Sequence, residues 1–93
     1  MPVHVLFRFS KKTGKIDTTM TGVTSALMKM WAMQNTTKSK QTVIFNRDTG
    51  ACVFSAIGAD GMPEIDREDL GTCEDYNIPL DILQSITDNR FDK

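Results

Sequence analysis

Val3, Val5, Phe7 and Phe9 alternate with His4, Leu6 and Arg8 near the start of the chain, the two-residue period of a strand with one apolar and one mixed face. Ser10-Lys11-Lys12-Thr13-Gly14-Lys15 follows. Its polar run and its glycine, free to take positive φ, predict a reversal into a short second strand around Ile16. From Thr19 to Asn35 the apolar positions Met20, Val23, Leu27, Met30 and Trp31 recur at three and four residues, with Thr21, Ser25 and Lys29 on the other side. That spacing predicts an amphipathic helix of about four turns. Asp17, Thr18 or Thr19 would accept from its first amides, Gly22 would weaken its first turn, and Lys38 and Lys40 would meet the negative end of its dipole.

Thr42–Phe45 and Cys52–Ile57 are β-branched and aromatic at successive positions, and Asn46-Arg47-Asp48-Thr49-Gly50 joins them. The pattern predicts a bulged hairpin of strands covered on both faces. Gly58–Pro63 reads as a loop, Glu64–Asp69 as an exposed acidic excursion, Pro79–Ile86 as a short closing helix, and the tail from Asp88 as frayed. The fold class is therefore α+β: an antiparallel sheet of three to four strands, one long helix packed on it, and a short C-terminal helix. Phe7, Phe9, Val43, Phe45, Val53, Phe54, Leu27 and Met30 are expected to meet in one core.

Composition changes this picture little. The 93 residues suit one domain spanning 1–93, and 40% hydrophobic with 25% charged residues is ordinary for a globular chain. No apolar run approaches the roughly 20 residues of a membrane helix, and Met1-Pro2-Val3-His4-Val5 has no basic leader. The expected location is cytoplasmic, with no membrane partner. Cys52 and Cys73 lack the close spacing of a metal clip or redox pair and read as free thiols.

Charge is the more informative property. The net charge is −1, but residues 1–50 hold eight Lys and Arg against two Asp, a net of +6, and residues 51–93 hold ten Asp and Glu against three basic residues, a net of −7. Asp60, Glu64, Asp66, Glu68, Asp69, Glu74 and Asp75 face a single base, Arg67, between positions 60 and 75. A carboxylate surface of this density would dock on a protein partner with a basic surface and steer its approach.

Catalytic and cofactor chemistry finds little to work with. His4 is the only histidine and lies mid-strand, so a Ser-His-Asp or Cys-His set has one place to form. Cys52, Cys73 and His4 would have to converge from distant positions to hold zinc, and the acidic cluster departs from the helix-loop-helix calcium spacing. Thr13-Gly14-Lys15 lacks the upstream glycine of a phosphate loop. No catalytic residue, metal or cofactor is therefore expected.

The expected function is a non-catalytic protein-interaction module, a small regulator or inhibitor of a larger protein of the kind phage and mobile elements encode. Its partner site would be the acidic residues just named. Met28, Trp31 and Met33 would support self-association, since the apolar residues of the helix wrap more than one stripe and a homodimer would cover the excess. Two alternatives remain open. One is nucleic-acid or phosphate-ligand binding through Lys11, Lys12, Lys15, Lys38 and Lys40, which lack interleaved surface aromatics. The other is a homo-oligomeric structural subunit.

Overall fold

A computed structural model describes residues 3–67 and 70–86. Five antiparallel strands lie side by side in the order β2-β1-β3-β4-β5: β1 (His4–Ser10), β2 (Ile16–Gly22), β3 (Lys40–Asn46), β4 (Cys52–Ile57) and β5 (Glu64–Ile65). Helix α1 (Ser25–Asn35) runs from β2 to β3, and a 3-10 turn (Cys73–Tyr76) and helix α2 (Leu80–Ser85) follow β5. The α+β class and the closing helix match expectation. The strand count exceeds it, because the two-residue β5 arises from the segment expected to be an exposed excursion.

The sheet is the middle of three layers. Alternation along β1 sends Val5 and Phe7 to one side and Leu6 to the other, and β3 does the same with Val43 and Phe45 against Ile44. Val5, Phe7, Val43, Phe45 and Cys52 pack with Cys73, Ile78 and Leu83 of the C-terminal segment. Leu6, Ile44, Phe54 and Ala56 pack beneath Met28 and Ala32 of α1. The single expected core is thus two cores separated by the sheet. Leu27 and Met30 belong to neither: they are 47% and 56% exposed, and Val53 is exposed at the β3–β4 bulge.

The long helix is also shorter than expected. Thr18, Thr19 and Thr21 are β-branched, and with Met20 between them they pair residue by residue with β1, Met20 opposite Leu6 and Thr18 opposite Arg8. Tertiary pairing overrides the three-four spacing that Met20 and Val23 contribute. Removing these two residues from the helix shifts the phase of its apolar stripe, so Met28 and Ala32 face the sheet in place of Leu27 and Met30. Asp17, Thr18 and Thr19 lie in β2 and do not cap α1, and Thr24 at the cap position makes no side-chain capping bond.

Both turn glycines behave as read: Gly14 and Gly50 have φ of 74° and 78°. The far end of α1 is tied down twice. Thr36 Oγ1 donates to Ala32 O, with Thr42 Oγ1 of β3 in hydrogen-bond contact at 2.6 Å. Arg8 Nη1 donates to Asn35 O at 2.9 Å while its guanidinium lies 5.3 Å from the Trp31 ring centre.

Candidate functional site

Helix α1 has two flanks. Trp31 lies over Arg8 of β1, on the side toward β2. Lys29 and Met33, four residues apart, lie toward β4, where Lys29 Nζ sits 5.8 Å from the centre of the Phe54 ring. On this second flank the helix stops short of the sheet edge, and Met30, Met33, Phe54, Met62 and Ile65 line an apolar trough of about 480 Å³. Lys29 and Gln34 complete its wall. Met62 is 71% exposed, the most exposed large apolar side chain among the described residues.

The loop after β4 builds the second wall. Gly58 begins it pressed against the α1–β3 connection: an added methyl would overlap the Thr37 carbonyl and lie 2.9 Å from Lys38 Cα. Gly58 N donates to Lys40 O, and Lys11 Nζ donates to Gly58 O at 3.1 Å. Gly61, at φ 91°, then turns the chain back, so that Met62 and Ile65 face the helix flank. Asp60 and Glu64 lie on either side of Met62 in the chain, and Asp60 pairs with Lys38 at 3.0 Å.

The acidic residues read from the sequence do not form one surface. Asp60 and Glu64 belong to the β4–β5 edge. Asp66 bears on Tyr76 and Cys52, on the face away from α1. Glu74 and Asp75 sit in the 3-10 turn on that same face, and Asp75 Oδ2 accepts from Thr72 N in a capping box. Glu68 and Asp69 lie outside the described residues, as does the tail from Asp88. Of the self-association residues, Met28 is completely buried by its own chain, so no partner reaches it; Trp31 and Met33 are half-buried. Met30 occupies the surface position the sequence assigned to Met28.

The basic half is similarly dispersed. Arg8 Nε and Lys40 Nζ meet Asp17 at 2.9 and 2.8 Å, holding its carboxyl well below the usual carboxylate range. Lys38 and Lys11 are engaged as described. Lys12 and Lys15 remain exposed on the first turn.

No acid–base or nucleophilic set assembles among the described residues. His4 shares the α1 side of β1 with Leu6, whereas Cys52 and Cys73 are buried in the opposite core. Burial, and then Lys29, push His4 down from its ordinary value, and its Nδ1 is buried without a hydrogen-bond partner among the described residues. Burial pushes both thiols up, which disfavours the thiolate a nucleophile or metal ligand requires. No group of three His, Cys, Asp or Glu among the described residues could hold a metal ion, and no helix among them is long and apolar enough to cross a membrane.

Sequence periodicity missed the trough because its residues come from three elements. One signal was present: Met62, a lone large apolar residue in the run Gly-Ala-Asp-Gly-Met-Pro. No protein-family model, curated protein or solved structure matches this chain.

Proposed function

We propose that this chain is a cytoplasmic, non-catalytic protein-interaction domain that takes an apolar segment of a larger partner into the trough between α1 and the β4–β5 loop, and so regulates or inhibits that partner. The observation that carries this reading is the convergence of Met30, Met33 and Met62 with Phe54 and Ile65 around one open apolar trough. Methionine adapts to differently shaped apolar partners, and contiguous exposed apolar surface costs solubility unless it is used. Asp60, on the loop beside the trough, favours a segment flanked by a basic residue, the part of the acidic surface that remains relevant to a basic partner. A trough of this form matches the anchors of an amphipathic helix laid in a groove.

Affinity capture from native host cells, compared among the wild type, Met62→Lys and Lys12→Glu, tests the reading. The expected result is a specific partner lost with Met62→Lys and retained with Lys12→Glu. Loss with Lys12→Glu and retention with Met62→Lys would overturn it in favour of the basic N-terminal half.

A further inference from the structure

The opposite face of the sheet carries a second hollow, of about 310 Å³, at the low end of the range for small-ligand sites. Phe9 and Tyr76 wall it with rings 6.2 Å apart and tilted by 58°, and Asp75 supplies a carboxylate. Ile16 and Ile78 add apolar lining, and Gly14 leaves one side open, with nothing within contact distance of an added methyl. We propose that this hollow binds an organic monocation, an alkylammonium or guanidinium group, seated against the rings of Phe9 and Tyr76 and beside the Asp75 carboxylate.

Three observations select a cation. The face of an aromatic ring attracts positive charge, and here two rings lie beside one carboxylate. Asp75 is held in place, its Oδ2 taking the Thr72 amide at 2.8 Å, yet its charge meets no lysine or arginine in an ion pair among the described residues. The surrounding charge is negative: Asp66 bears on Tyr76, and Glu74 and Asp75 both bear on the neighbouring Cys73. Lys12 and Lys15 are exposed on the adjoining turn and do not line the hollow. The rings are already positioned, since Phe45 meets Tyr76 edge-on at 5.6 Å and Phe9 lies against Tyr76 at 6.2 Å. Binding therefore requires no rearrangement of the walls.

The cation could be a free amine or the side chain of a lysine or arginine on a partner; the recognition chemistry is the same. Amide chemical shifts of the whole chain should be followed while n-butylammonium, its neutral isostere n-butanol, or a blocked Gly-Lys-Gly peptide is added. The expected result is saturable shifts at Gly14, Asp75 and Asn77 with the ammonium, about tenfold weaker with the alcohol, and reduced about fivefold in Asp75→Asn, which keeps an acceptor for the Thr72 amide. Phe9→Leu, which keeps apolar bulk and removes one ring, gives a second reading should Asp75→Asn disturb the turn. Tighter binding of the peptide than of the free amine identifies a partner's side chain as the source, and the reverse identifies a small amine. Equal shifts with butanol, or undiminished binding in both variants, would overturn the proposal. Met62→Lys, on the other face, should leave these shifts unchanged, so the outcome is independent of the trough.

Discussion

The two faces of the sheet are built from alternate residues of the same strands, yet they are packed in different ways. The face under the C-terminal segment is aromatic: Phe7, Phe45 and Tyr76 interlock, with Phe7 and Phe45 ring centres 5.9 Å apart. The face under α1 is mainly aliphatic, filled by Leu6, Ile44, Ala56, Met28 and Ala32 with Phe54 as its one buried ring, and its cover is one helix of 11 residues that leaves a trough along β4. The C-terminal segment, a 3-10 turn and a short helix joined by loop, thus brings side chains to its face from several directions and leaves its own hollow beside Phe9 and Tyr76. A helix is straight and contributes one stripe, whereas an irregular segment is not confined to one.

That contrast is open to direct attack, most strongly at Phe45. It is fully buried between two rings, and Phe45→Ala should destabilise by about 3–5 kcal/mol. Equilibrium denaturation with an unchanged midpoint would show that the aromatic face is not the principal core. Met28→Ala, the matching truncation under α1, should cost about 2–3 kcal/mol, toward the low end for such changes, because methionine neighbours relax into the space. A larger loss than that of Phe45→Ala would reverse the ranking of the two faces.

The Asp17 junction should contribute less. Asp17→Asn leaves Arg8 and Lys40 without their shared carboxylate and should cost about 1 kcal/mol at neutral pH, since the group is partly exposed and screened. Its depressed folded-state pKa gives the sign of the pH dependence. The stability it confers is complete above the unfolded-state value of about 4 and is lost as pH falls below that. Wild type and Asp17→Asn should therefore converge in urea midpoint on acidification; parallel curves would show that Asp17 is not the titrating group. Met62→Lys, at the exposed lip of the trough, should change stability by less than about 0.5 kcal/mol. A larger loss would mean that the trough lip supports the fold.

Legibility followed the same division. β1, the β3–β4 hairpin and the closing helix were readable because each satisfies one period or one turn requirement locally, as Gly14 and Gly50 do with their positive φ. β2 was readable only at its start around Ile16, because Met20 falls in phase with a helix and only pairing with β1 decides otherwise. A helix started at Ser25 carries its apolar stripe on a different side from one started at Thr19, so Met28 faces the sheet and Met30 the solvent. The acidic run was legible as charge, but adjacent residues of an extended segment point to opposite sides, so Ile65 joined the trough while Asp66 bears on Tyr76. Nothing local announces which loop meets which helix flank.

Gly58 gives the trough a mechanical property of its own. Its backbone rests against Thr37 and Lys38, which leave α1, and its chain continues into the loop that carries Met62, so both walls are referred to one fixed point. The trough then has a set width, and adjustment to a guest falls to the rotamers of Met30, Met33 and Met62. Such adjustment costs side-chain entropy of about 1–2 kcal/mol per methionine immobilised and takes place within picoseconds to nanoseconds. Guests of different outline would be accepted at encounter without a slow opening step, and discrimination among them would reside in how long each stays.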